Sequence, residues 1–304
     1  MRFGITQLVM SSAGMAEISE QEYQAISLAR RNLFEALFLE EKFDIVIENY
    51  YEYETELLSS ASRFMLFGDL DPSQIQRERV LISRRIVNLL SAGRLYLDQS
   101  AHHLNNIYGG NSTASSELER EKSTEYDARL GYRVMEALRN YVQHRGFPIH
   151  SVTLSWHLVE QEPNRKKYSY TATPLIKPTE LEDDSRFKRA VLEELKAIGD
   201  EVDLKPLARE YMECLSRVHN RIREILRSDV SDWETKIHST IDRYKAAVGE
   251  QTPIIGLAIV KEIEDDMYAE EKSIFTEFLD RRRKLEKKNG ILLSLASRYV
   301  TGES

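Results

Sequence analysis

The chain of 304 residues holds one cysteine, 13 glycines and 7 prolines. A lone Cys214 excludes an internal disulfide and any cysteine-based metal cluster, and points to a reducing cytoplasm as the compartment. Few glycines and prolines leave few element breakers, which favours long helices. No apolar stretch approaches the ~20 residues of a membrane helix; the longest runs from about Pro253 to Val260. Gly-x-Gly-x-x-Gly, the Walker lysine loop, His-Glu-x-x-His and Gly-x-Ser-x-Gly are all missing, so dinucleotide, P-loop, zincin and hydrolase-elbow chemistries have no entry point. An excess of positive charge is missing too. The net charge of −8 disfavours broad, nonspecific binding of polyanions. Met1 to Ala16 carries one basic residue and makes a poor signal peptide; it reads as a short strand or a loose leader.

What is present is helical spacing in a chain 30% charged and 41% hydrophobic. Ser19 and Glu22 have capping-box spacing before a helix that reaches at least Leu39. A second stripe runs through Phe43, Val46, Tyr50, Tyr53, Leu57, Ala61 and Phe64. After Pro72, suited to a first helical turn, Ile82, Ile86, Leu89, Gly93, Leu97, Ala101 and Leu104 form a third. Residues 109–117 read as an exposed loop, and from about Ser123 a helix carries Leu130, Val134, Leu138 and Tyr141 until Gly146 and Pro148 end it.

Beyond Pro148 the period changes to alternation, and residues 148–178 predict a β-hairpin turning at Glu162-Pro163-Asn164-Arg165. Helical patterning resumes near Ser185. Its cleanest stripe runs from Leu204 to Ile225 and ends near Ser228, where Ser231 and Glu234 offer a second capping box. Residues 254–260 suit a strand and 274–288 a charged helix. The expected fold class is mostly α: a helical domain over 16–228 with the hairpin inserted, and additional C-terminal helices over 229–304.

One constellation carries chemistry. Arg139-Asn140-Tyr141-Val142-Gln143-His144 is an Arg-x-x-x-x-His pattern near a helix C-terminus. Spacing alone is weak, since chance supplies roughly 0.6 such pairs here, and Arg145 with His150 matches as well. That second pair spans Gly146 and Pro148 and cannot be helical, so context selects Arg139 and His144. At about 100° per residue the two lie roughly 140° apart around the helix, and spacing alone does not make them converge. The bland alternatives are a helix-end histidine and a solvated arginine. Asp98 in Tyr96-Leu97-Asp98 is a weaker supporting candidate, against a reading as a solvated carboxylate. His102-His103 diverge on a helix and lack a third ligand, so neither a metal nor a cofactor is expected. Trp156 and Trp233 read as core, His219 as polar flank, and the basic runs near Arg77, Arg165 and Arg281 as solvated faces.

Arg139-Asn140-x-x-x-His144, with a polar residue after the arginine, resembles the motif of the HEPN superfamily of helical ribonucleases and nucleotide-binding proteins. The segment Arg85 to Ser91, running on through Arg94 to Asp98, is similar to the helix preceding that motif in bacterial HEPN proteins of the abortive-infection kind. The pattern covers residues 20 to 150, and the helices after the hairpin have no counterpart in it. The resemblance implies a HEPN-like helical bundle and metal-independent cleavage of RNA, with Arg139 and His144 catalytic and Asn140 supporting. It implies a homodimer joined through the motif helix, in a setting of antiphage defence or toxin-like growth arrest. Gly146 stands where HEPN toxins silenced by adenylylation carry the modified tyrosine, so that control is not expected. The competing expectation is a non-catalytic HEPN-like module binding a partner protein or RNA; no membrane partner is expected, and a regulatory protein partner is.

Overall fold

A computed structural model describes residues 1–8, 14–68, 71–162, 165–249, 254–264 and 267–298. Two short strands, β1 (Arg2–Gln7) and β2 (Ala16–Ile18), precede helix α1 (Glu20–Phe67). The first two helical stripes therefore lie on one helix of 48 residues, because no glycine or proline interrupts its backbone ladder. The expected capping box opens it: Glu22 N–H donates to Ser19 Oγ at 3.1 Å, and Ser19 N–H donates to the Glu22 carboxylate at 2.8 Å. Helix α2 (Pro72–Tyr108) begins at its proline, capped by Asp71, whose carboxylate accepts from the Ser73 and Gln74 N–H groups.

The loop expected over 109–117 shrinks to four residues. Helix α3 (Thr113–Ala128) starts early because Ser112 Oγ accepts the Ser115 N–H at 3.2 Å. The extended backbone of Arg129 separates α3 from α4 (Leu130–His144). The hairpin forms as expected from β3 (Ser151–Glu162) and β4 (Arg165–Ile176); Pro163 and Asn164 of its turn lie outside the described residues. There follow α5 (Pro178–Glu182), α6 (Arg189–Ile198), β5 (Val202–Asp203) and α7 (Leu204–Val248). Helix α7 runs through Ser228 without the expected stop. Ser231 and Glu234 do not cap there: the Ser231 carbonyl accepts the Thr235 hydroxyl, and Glu234 holds Arg282 and Arg283. The last elements are β6 (Leu257–Glu264), β7 (Met267–Ser273) and α8 (Glu277–Lys288).

The chain forms two compact units. One comprises Met1–Lys42, Ser100–Ser115 and Ile222–Gly290. Its antiparallel sheet has the order β2-β1-β6-β7, with Arg2 opposite Glu262 and Gln7 opposite Leu257. The continuous buried run Leu257 to Val260 marks a strand covered on both faces. Phe34 of α1 stacks on Phe278 at 4.5 Å with Phe275 edge-on beside it. The basic run near Arg281 is not a free patch: Arg281 pairs with Glu41, and Arg282 and Arg283 share Glu234. Buried Glu40 receives Arg223 through two bonds of 2.8 and 2.6 Å.

The other unit comprises Phe43–Gln99, Ser116–Arg221 and Ile291–Ser304. Its core takes Phe43, Val46 and Tyr53 of α1, Ile82, Ile86 and Leu89 of α2, Val134 and Leu138 of α4, and Leu204 to Val218 of α7. Two glycines let helices approach closely. A Cβ on Gly93 would stand 2.3 Å from the Tyr211 hydroxyl, and one on Gly131 would stand 2.5 Å from the Leu207 carbonyl. His219 is buried here, not flanking: it stacks on Phe43 and shares a 2.9 Å hydrogen bond with the Tyr96 hydroxyl. The hairpin and β5 form a second sheet of order β3-β4-β5. Trp156, expected in the core, is 57% exposed on β3, and Trp233 is half-buried. Among the described residues no helix is long and apolar enough to cross a membrane.

Candidate functional site

Helix α4 is strongly two-sided. Val134, Met135, Ala137 and Leu138 are buried on one face, which turns the opposite face outward, with buried Tyr132 at the start of that second face. On that face, Glu136, Arg139, Asn140, Gln143 and His144 fall within an arc of about 140°. Arg139 is half-buried, while Asn140 and His144 are exposed. The Arg139 guanidinium donates to Asn140 Oδ1 at 3.0 Å and makes no ion pair among the described residues. His144 ends the helix, and its imidazole meets no hydrogen-bond partner among the described residues. Arg139 and His144 are thus both open to solvent, but they do not touch. The competing pair is otherwise engaged: Arg145 donates to the Asp183 carbonyl, and His150 Nδ1 accepts from the Lys177 N–H.

Helix α2 brings in Asp98, one turn beyond Arg94 and paired with it at 2.9 Å. The same guanidinium lies 3.7 Å from the carboxylate of Glu136. Glu136 is one of the residues that reading the sequence missed. It sits one helical turn before Asn140, with the buried Tyr211 hydroxyl donating to it at 3.4 Å. Burial pushes its carboxyl above the ordinary range; Arg94 and then Arg139 pull the other way, and Asp98 adds to the rise. The spacing of Glu136 from Asn140 was visible in the sequence. Its partners on α2 and α7 were not, because only tertiary packing joins them.

A cleft of about 560 Å³ opens beside this face, lined by Arg94, Tyr126, Tyr132, Glu136, Asn140 and Lys188 among others. Its wall is amphoteric. Lys122 is neutralised by Glu119 at 2.7 Å, whereas the Lys188 ammonium lies over the Tyr126 ring at 4.6 Å and makes no ion pair among the described residues. Asn140 is the motif residue that belongs to this cleft; Asp98 reaches it only through Arg94.

The histidine pair His102-His103 is used otherwise. His103 Nδ1 lies 2.6 Å from Glu35, and His102 is joined to Asn106. Among the described residues no group of three His, Cys, Asp or Glu side chains is placed to hold a metal. No family model matches the chain, and neither a curated protein nor a solved structure matches it.

Proposed function

We propose that the chain is a metal-independent endoribonuclease of the HEPN kind, acting through Arg139 and His144 with Asn140 in support, in antiphage defence or toxin-like growth arrest. The observation that carries this reading is the outward face of α4. An arginine with no ion pair and a histidine with no hydrogen-bond partner among the described residues both open to solvent there, beside a polar cleft. A guanidinium held by an amide oxygen keeps donors for a phosphate, and an imidazole can exchange a proton with a hydroxyl.

In this reading the neutral imidazole of His144 takes the proton of an RNA 2′-hydroxyl, and that oxygen attacks the adjacent phosphorus. Arg139 binds the phosphate as charge builds up on its non-bridging oxygens. The bond to the 5′-oxygen breaks, that oxygen takes up a proton, and a 2′,3′-cyclic phosphate remains. Because Arg139 and His144 do not meet within one chain, the reading includes a homodimer in which the α4 helices of two copies face one groove. A second reading, a non-catalytic module binding RNA or a regulatory protein, is favoured by that same separation.

The test is incubation of the protein with total RNA in EDTA, beside Arg139→Ala and His144→Ala variants of verified fold. Cleavage with cyclic phosphate ends, lost in both variants, supports the nuclease. Full cleavage by either variant overturns it, and stoichiometric RNA capture without cleavage favours the binding module.

A further inference from the structure

The cleft beside α4 carries an anion and a cation that have no ion-pair partner among the described residues. Asp127, in the last turn of α3, is exposed, and its carboxylate meets no partner among the described residues; only its backbone carbonyl is used, by Arg133. Lys188 is exposed as well. Its ammonium donates to the Tyr126 hydroxyl at 2.5 Å and makes no ion pair among the described residues. The other charges of the wall are matched, Lys122 by Glu119 and Arg94 by Asp98. Tyr126 lines the cleft with Asp127 and Lys188, its ring edge-on to Tyr132 at 6.0 Å. The volume of about 560 Å³ falls in the range of small-ligand sites, roughly 300 to 1,000 Å³.

A ligand that satisfies this wall needs neighbouring N–H donors for a carboxylate, a carbonyl beside them for an ammonium, and a flat face for a ring. Among RNA bases, read through their Watson–Crick edges when single-stranded, guanine has that edge: N2–H and N1–H side by side, then O6. Adenine and cytosine place a ring acceptor next to a single amino group, and uracil places one N–H between two carbonyls. Each of those three leaves a carboxylate oxygen without a donor, and an unsatisfied polar group costs affinity.

We infer that the cleft is a guanine-selective base subsite, with Asp127 accepting from N1–H and N2–H, Lys188 donating to O6, and Tyr126 against the base plane. The inference rests on the ribonuclease reading for the source of the base. The guanosine flanks the scissile phosphate, because Asn140 both lines the cleft and holds Arg139.

The experiment is calorimetric titration of the full chain with the four nucleoside 5′-monophosphates and with inosine monophosphate, repeated on Asp127→Asn. The phosphate is common to all five, so differences report the base. GMP is expected to bind at least tenfold tighter than AMP, CMP or UMP, and tighter than the inosine form that lacks the 2-amino group. Asp127→Asn, at an exposed position, is expected to unfold at the unchanged temperature and to lose the preference. Equal affinities, no binding, or a preference unchanged in Asp127→Asn overturns the subsite. Mapping cleaved ends separates the two readings. Cleavage without guanosine enrichment removes the subsite and leaves the nuclease standing, whereas Asp127-dependent GMP binding without cleavage keeps the subsite and removes the nuclease.

Discussion

Arg94 stands 3.7 Å from Glu136 while its other nitrogens hold Asp98. The guanidinium is therefore shared between an exposed carboxylate and a half-buried one. The half-buried one receives too little compensation to offset its lost hydration, which is why burial leads the rise in the Glu136 pKa.

That imbalance predicts a stabilising substitution. A carboxyl whose folded pKa is raised binds protons more tightly in the folded state, so its contribution to stability falls as pH rises through that window. Glu136→Gln keeps an acceptor for Tyr211 and removes the charge. It is expected to raise Tm at pH 7, with the gain vanishing below the ordinary value of 4.5, where both states carry the proton. Thermal unfolding from pH 3.5 to 8 checks this, and a gain that persists at pH 3.5 contradicts it.

His150 titrates in the opposite sense. Burial lowers its pKa from 6.5, aided by Arg79 and Lys177 and opposed by Glu180. Its Nδ1 must stay unprotonated to accept from the Lys177 N–H at 3.0 Å. The unfolded chain then binds more protons, and stability falls as pH drops below 6.5. Tm is expected to decline from pH 6.5 to 5, and His150→Asn, whose amide oxygen replaces Nδ1, is expected to flatten that part of the curve.

Arg223 and Glu40 are 14% and 4% exposed and bonded through two oxygens. Removing Arg223 takes both of these charge-assisted bonds from buried Glu40. Arg223→Met is expected to cost about 3 kcal/mol in chemical denaturation, and the double variant Arg223→Met, Glu40→Met to recover much of it. A double variant less stable than the single one contradicts this account.

Gly93→Ala places a methyl 2.3 Å from the Tyr211 hydroxyl, in a core too dense to yield freely. Overpacking is expected to exceed the gain in helix propensity and leave a net loss of about 1 to 2 kcal/mol. Tyr211→Phe removes the colliding oxygen, so the double variant is expected to lose less than the two single losses added together.

Local signals were legible in the sequence and long-range ones were not. The Ser19/Glu22 box and the Pro72 start depend on groups within three residues, and both formed as read. The same box at Ser231/Glu234 failed because its backbone was already inside a helix and its glutamate was claimed by Arg282 and Arg283. Trp156 was read as core from residue type, and alternation does put it on the face of buried Val152, but β3 is exposed on both faces from Trp156 onward, beyond the part that is covered. In the candidate site, Arg139, Asn140 and His144 were readable on one helix. Arg94, Tyr126 and Lys188 were not, since three other parts of the chain supply them.

The pairing of β1 with β6 also orders the birth of the molecule. Gln7 finds Leu257 and Arg2 finds Glu262, so β1 emerges from the ribosome some 250 residues before its partner. At about 5 to 20 residues per second, the first strand waits on the order of ten seconds or more for β6. During that interval it holds at most the three residues of β2, a pairing too small to stand alone. The β1–β6 rungs therefore close only after some 250 further residues have been made, and until then β1 is left without its main partner.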